Sequence, residues 1–423
     1  MSERVPTSRL GRLARLAAVS ARTSVSLVTK AAKGRDGAAE YTAEVLGNLR
    51  GLAAKVGQMA SYVDGIVPEE RRDVYEASLR SLRAHTQASS FADVRATLER
   101  ELGADLGALF SELDETPVAS ASIGQVHRAR LHDGTEVAVK VQHPRIREAV
   151  ESDLGNAGIL QTFAGLAMGR RFEVDRMLEI VRARFREELD FELEAERTRW
   201  FAELHRDDPK IRVPRVFAEH SSKSVLTTAF VRGKSFDEAI EAPEAERRAH
   251  AETLWRFVFK GNLLGCTFNA DPHPGNYFFH EDGAVTFIDF GCVQTIEDYY
   301  HQGALEWHRA ALRGDEAAFA AMVRQVMKTR GGALEEAAIA YCRACFEPLF
   351  NVPYRITRGY SGSLVGQMKD MAKVAKQVPE HEFVTMPAEM LFMNRLQFGF
   401  YSILARFDVE VDYAAVERAF LPM

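Results

Sequence analysis

The chain reads as an α+β protein of two lobes behind a helical extension, and three patterns carry that reading. First, residues 126–131 and 135–141 are apolar, β-branched runs around His132, Asp133 and Gly134, the mark of a β-hairpin. Second, residues 276–280 and 284–289 repeat the pattern around Glu281, Asp282 and Gly283, but within a long stretch of helical periodicity. Third, helical patterns near 39–63, 69–83 and 91–102 precede the first strand, with Pro68 before Glu69 and Glu70 suiting a helix start. The expected organisation is a basic tail over 1–33 and a helical extension over 34–112. A strand-containing small lobe with a helical insertion follows over 113–228, then a mostly helical large lobe over 229–423. The 423 residues, 46% hydrophobic, suffice for two such lobes and an extension.

The second hairpin carries the chemistry. Asp271 is followed at the fifth position by Asn276, the D-x-x-x-x-N spacing of a protein-kinase catalytic loop, and Asp289, Phe290 and Gly291 repeat the kinase DFG. Phosphates concentrate negative charge, and Mg²⁺ beside them needs hard oxygen ligands. Asn276 and Asp289 are such ligands, Asp271 can orient or deprotonate an attacking group, and the hairpin brings both ligands to one place. Upstream, Val137, Ala138, Val139 and Lys140 come close to the kinase V-A-I-K, whose lysine grips the α- and β-phosphates. On a strand Lys140 faces opposite to Val139 and Val141, so it can point into a cleft while they pack. The bland alternative, a surface lysine on an edge strand, is weakened by the ordered partners downstream.

The phosphate-covering loop departs from an ordinary kinase. Where G-x-G-x-x-G is expected, the chain has Ala119, Ser120, Ala121, Ser122, Ile123 and Gly124. Each alanine adds a Cβ where glycine lets the backbone approach phosphate freely. Ser120 and Ser122 offer hydroxyl donors in its place.

With Lys55, Val56, Gly57 and Gln58 upstream and Glu188, Leu189 and Asp190 between, these motifs stand in the order of the UbiB/AarF family of atypical kinase-like proteins. The chain resembles that family from about residue 40 to about residue 400. The resemblance implies a divergent bilobal protein-kinase-like fold with an N-terminal helical extension laid over the active site, binding of ATP or ADP with Mg²⁺, and ATPase activity rather than phosphorylation of proteins in trans. It also implies a role in making or handling ubiquinone or other isoprenoid lipids, beside lipid-biosynthesis enzymes. By resemblance Lys140 is the phosphate-binding lysine, and Glu194 is its partner from an αC-type helix. Ala119, Ser120, Ala121 and Ser122 form the nucleotide loop, Asp271 is the catalytic-loop aspartate, and Asn276 and Asp289 are the metal ligands. Glu188 and Asp190 are the family's E-x-D pair, toward which Lys55, with Gln58, reaches in a regulatory contact.

The residues themselves qualify this. Positions 188 and 190 cannot share one helical face, so the backbone must bend or end its helix there if both face the cleft. Lys55 and Gln58, three apart, share a helical face but taken alone read as surface residues. Asn269 stands where the family usually has histidine, and Ala229 where glutamate is common in the interlobe linker. No A-P-E follows Gly291, and Cys292, Val293, Gln294 and Thr295 lead almost at once into a helical pattern. A peptide-docking segment therefore has no evident sequence to form it.

Composition sets outer bounds. A net charge of −6 implies no nucleic-acid partner. Residues 1–33 nevertheless hold seven basic residues against Glu3 alone, with Leu10, Leu13 and Leu16 between arginines. That tail reads as an amphipathic helix on an anionic membrane surface, a transit-peptide-like leader, or a disordered basic segment. The uncharged stretch 154–169 falls short of the roughly 20 apolar residues of a membrane span. The expected location is cytoplasmic, peripheral on the inner membrane face, with the mitochondrial matrix as alternative. Cys342 and Cys345 form a single C-x-x-C in an Ala-rich helical pattern, read as two buried small residues before a zinc or redox pair. The function expected is a Mg²⁺-dependent, ATP- or ADP-binding atypical kinase-like protein, an ATPase supporting quinone or isoprenoid-lipid biosynthesis or handling. A catalytically weak nucleotide-binding scaffold and a true protein kinase are the alternatives.

Overall fold

The computed structural model describes residues 89–120, 123–155, 183, 186–384 and 389–421. The small lobe begins with α1 (Phe91–Leu102), where Ser90 accepts a hydrogen bond from the Asp93 amide and Gly103, at φ 70°, ends the helix in the left-handed conformation. Then come α2 (Leu106–Leu109), β1 (Glu112–Leu113), β2 (Ala119–Ser120), β3 (Gly124–Arg130), β4 (Glu136–Gln142), α3 (Ile146–Gly155), α4 (Phe191–Leu204), β5 (Ile211–Arg212) and β6 (Val225–Ala229). The antiparallel sheet runs β1-β3-β4-β6, with β2 also on β3.

Period-two alternation sorts the faces of β4. Val137, Val139 and Val141 are buried in a core shared with Val94 and Leu98 of α1 and with Leu109 and Phe110. Residues 89–112, read from sequence as the end of the extension, thus supply side chains to this lobe's core. On the other face Phe191 and Ala195 of α4 pack on Leu226, and Lys140 emerges on that side. Gly124 is required by the close antiparallel pairing of β3 with β4: a Cβ there would collide with the Val141 carbonyl oxygen.

The large lobe is built on α6 (Glu244–Leu263), preceded by α5 (Phe236–Ile240) with a Ser235–Glu238 capping box. Four short strands follow: β7 (Thr267–Asn269), β8 (Tyr277–Phe279), β9 (Val285–Phe287) and β10 (Val293–Thr295). The remainder is α7 (Asp298–Leu312), α8 (Glu316–Met327), α9 (Gly332–Cys345), α10 (Glu347–Phe350), β11 (Tyr354–Arg355), α11 (Arg358–Gln377), α12 (Glu389–Phe407), β12 (Glu410–Val411) and α13 (Tyr413–Arg418). Leu254, Trp255 and Phe257 of α6 are buried in its centre. There the carboxylate of buried Glu417 takes the Trp255 indole N–H on one oxygen (2.9 Å) and His308 Nδ1 on the other (2.8 Å). Cys342 and Cys345 are buried on α9, with Cys342 Sγ 3.6 Å from Met327 Sδ. Among the described residues, no helix is long and apolar enough to cross a membrane.

The hairpin of β8 and β9 forms as its sequence predicts, and Gly283 turns it at φ +79°, where a Cβ would also strike the Ala249 side chain. Two further pairings carry weaker sequence signals. β5 runs parallel to β9, Ile211 opposite Val285, and ties the segment after α4 to the hairpin. β7 pairs antiparallel with β10, Phe268 opposite Gln294 and Asn269 opposite Val293. That second pairing closes residues 270–292 into a loop with both ends fastened together.

Candidate nucleotide site

The site lies where β4, α4 and that fastened loop meet. Lys140, on the α4-facing side of β4, reaches Glu194 with Nζ–O distances of 2.7 and 2.9 Å, and Asp289 Oδ2 at 3.4 Å. Its ammonium also stands 4.9 Å from the ring centre of Phe191, one turn before Glu194 on α4. Glu194 is 2% exposed. Burial pushes its carboxyl above the ordinary range, outweighing the pull of Lys140, and Asp289 and Glu188 add to the rise. One ammonium thus sits between two carboxylates, those of Glu194 and Asp289.

The break expected between positions 188 and 190 is present: a helical turn ends at Glu188, and α4 begins at Phe191. Asp190 caps α4 by accepting from the Leu193 amide (3.2 Å) and pairs with Lys223 Nζ at 3.4 Å. Glu188 is buried nearby. Lys55, Gln58, Ala121 and Ser122 lie outside the described residues.

In the catalytic loop Asn276 Nδ2 donates to the Asp271 carbonyl (3.2 Å) and lies 3.5 Å from Asp271 Oδ2. His273 accepts from the Gly275 amide (3.0 Å), a structural contact. Asp289 Oδ1 accepts from the Gly291 amide (3.0 Å). Phe290 is fully buried against Phe201 (ring centres 4.8 Å apart) and Phe257 (6.4 Å), burial worth about 2–3 kcal/mol. Ala119 and Ser120 form β2, whose partners on β3 are Val126 and Gln125. Ser120 Oγ is buried and, among the described residues, makes no hydrogen bond.

Three residues that the motif reading did not assign to the site hold it together. Asn269 donates from Nδ2 to the Asp289 carbonyl (2.6 Å) and accepts the Asp271 amide on Oδ1 (3.1 Å), so one neutral side chain bridges catalytic loop and DFG. This is how the loop is anchored without the family's histidine. Arg197 donates to the Gly291 carbonyl (3.1 Å) and pairs with Glu187 (2.5 Å). Phe191 lies beneath Lys140. The signal for the last two was present, since 191, 194 and 197 repeat at three-residue spacing along one helical stripe.

Among the described residues no group of three or more His, Cys, Asp and Glu converges as a closed metal site. Two oxygen ligands, Asn276 and Asp289, suit Mg²⁺, which keeps water and phosphate in its remaining positions. After β10 only Ile296 and Glu297 separate Thr295 from α7, so the chain enters a helix where a protein kinase would present a peptide-docking segment.

The ABC1 atypical kinase-like domain matches residues 81–323. The chain is 28% identical to the atypical kinase coq-8, mitochondrial, of Caenorhabditis elegans over 88% of its own length and 49% of that protein's. It is 28% identical to the atypical kinase COQ8, mitochondrial, of Saccharomyces cerevisiae over 70% of its own length and 62% of the relative's. The chain therefore spans between about half and three-fifths of these curated relatives. A solved structure, the complex of Rv3197 with erythromycin from Mycobacterium tuberculosis, superposes with a TM-score of 0.63 at 26% identity, covering 98% of this chain and 99% of that one.

Proposed function

Because the chain belongs to the ABC1 atypical kinase-like family, we propose that it binds ATP or ADP with Mg²⁺ between its lobes and hydrolyses ATP in support of quinone or isoprenoid-lipid metabolism. The observation that carries the reading is the convergence of Lys140, Glu194 and Asp289, groups 54 and 149 residues apart in sequence, on one ammonium. In this reading Lys140 grips the nucleotide phosphates and Glu194 holds it in place. Asn276 and Asp289 hold the metal, which neutralises phosphate charge when bound. Asp271 orients the attacking group and takes its proton. The short step from β10 to α7 favours water or a small molecule over a protein as acceptor. The lipid link rests on the family, and an isoprenoid or quinone-like ligand, an anionic membrane surface and lipid-biosynthesis enzymes are the partners it suggests.

The test is thermal melting with ADP or ATP, with and without Mg²⁺, alongside phosphate release in the presence and absence of anionic liposomes. Wild type is expected to show a Mg²⁺-dependent rise in Tm that Asp289→Asn abolishes. An Asp289→Asn variant that keeps the full rise would overturn the site assignment. Nucleotide binding without measurable hydrolysis would favour the scaffold reading.

A further inference from the structure

Two polar side chains of β3, Gln125 and His127, are 1% and 0% exposed. They stand opposite Val141 and Val139 of β4, on the face that packs against α1. Buried amide and imidazole groups are tolerated there only when bonded, and here each bond fixes the next. The Asp114 carbonyl can only accept, so His127 carries its proton on Nδ1 and donates to that oxygen (2.7 Å). His127 Nε2 is then an acceptor, and the Gln125 Nε2 amide donates to it (2.8 Å). That turns Gln125 Oε1 toward the Ser89 amide, which donates to it (2.6 Å). Gln125 Nε2 also lies 3.4 Å from the Ser89 carbonyl, so one glutamine holds both backbone groups of Ser89.

The Ser89 hydroxyl makes a second attachment, to His143 Nδ1 (2.8 Å), and the His143 amide donates to the Ile123 carbonyl (2.9 Å). Gln125 is paired with Ser120 across β2 and β3, and Ile123 directly precedes Gly124. The Ala-rich segment is therefore tied to Ser89 on both sides, at Ser120 through Gln125 and at Ile123 through His143.

We infer that Gln125 and His127 are positioning residues for the nucleotide phosphates, because they fix the Ala-rich segment against Ser89. The inference rests on the reading that this segment covers the phosphates. Neither side chain touches the nucleotide. Lys140 is opposite Val126 and shares its face of the sheet, so residues 125 and 127 point away from the cleft. Packing alone would put apolar residues at these positions, as it does at Val139 and Val141 across the sheet. Moving Ser89 strands the Gln125 amide and the His127 ring nitrogen in an apolar core, so Ser89 and the segment move together.

The experiment titrates the full chain by calorimetry with ADP and Mg²⁺, and with adenosine, which has no phosphate. Gln125→Met keeps the length of the side chain and loses both amide groups. The double variant Gln125→Leu, His127→Phe replaces the polar pair by apolar groups of similar size and should melt near wild type. Both variants should weaken ADP binding about tenfold, as the misplacing of about one phosphate hydrogen bond implies, and leave adenosine binding unchanged. Amide exchange should quicken at Ser89 and at Val118, which donates to Val126 beside the segment. Equal losses for ADP and adenosine, or a loss confined to Gln125→Met that follows its Tm, would reduce the pair to core packing and overturn the inference. Unchanged exchange at Ser89 would overturn the attachment itself. A wild type that binds neither ligand would overturn the nucleotide reading and this inference with it, even where exchange shows the attachment in place.

Discussion

Replacing Lys140 with methionine removes the charge and keeps an unbranched stem over Phe191. What remains is a buried carboxylate, Glu194, without its cation; the side chains of the pair are 18% and 2% exposed. Breaking a buried ion pair from one side costs about 3–5 kcal/mol, mostly from the charge left unpaired. Asp289, 31% exposed, loses the same partner but has water to replace it. The loss must depend on pH, and its sign follows from Glu194. Its carboxyl is already raised by burial, and without Lys140 it rises further. A raised carboxyl binds more proton in the folded state than in the unfolded one, so its penalty is full above the folded pKa and relieved as pH falls through it. The variant should therefore be most destabilised near pH 8 and recover toward pH 5, by at most about 1.4 kcal/mol per pH unit. Urea melts followed by far-UV circular dichroism at both pH values, on wild type, Lys140→Met, Glu194→Gln and the double variant, measure this. The double variant should lose most of the pH dependence. A Lys140→Met penalty below about 1 kcal/mol, or one equal at both pH values, would refute the idea that the pair is buried and charged.

Two further outcomes are expected. Asn269→Ala strips partners from the Asp289 carbonyl and the Asp271 amide, worth about 1 kcal/mol each at this partly buried position, so Tm should fall and exchange at the Asp271 amide should quicken; unchanged exchange there would show that the bridge does not hold the loop. His205, stacked by Phe201 and Phe257 with neither ring nitrogen hydrogen-bonded among the described residues, is held neutral by burial, its pKa lowered to about 3. The unfolded chain takes up a proton near pH 6.5 that the folded chain refuses, so this residue's contribution is full above that pH and lost below it. Between pH 6.5 and 4.5 the loss should reach about 2–3 kcal/mol, and His205→Phe should flatten that part of the stability profile seen in urea melts.

What the sequence disclosed, and what it withheld, follows the range of each interaction. Both hairpins, with Gly134 and Gly283 in their turns, and α1 are local patterns, and they formed where residue spacing indicated. Lys140 and Glu194 were named as partners by the order of motifs rather than by any local signal, and the structure brings them together. The pairing of β5 with β9 and of β7 with β10 involves two or three residues each, too short for periodicity to register. Asn269 was visible only as a departure from a histidine. That its amide would donate one way and accept the other depends on two backbone groups aligned by the β7–β10 pairing. An apolar cavity in the large lobe, of about 160 Å³, is lined by residues scattered from Trp255 to Tyr401, so no local segment could announce it.

The stripe of α4 facing the DFG segment has a consequence for how this molecule divides its time. Glu194 holds the lysine that also touches Asp289, Arg197 holds the Gly291 carbonyl, and Phe201 holds the Phe290 ring. A rigid helix attached at three successive points cannot release one and keep the others without bending. Its accessible positions are therefore few and discrete, engaged or swung away as a unit. If each attachment is worth about 1 kcal/mol, the detached arrangement holds less than about 1% of molecules at equilibrium. Any effector that works by moving α4 must then distinguish the two arrangements by about 3 kcal/mol before half the population follows it.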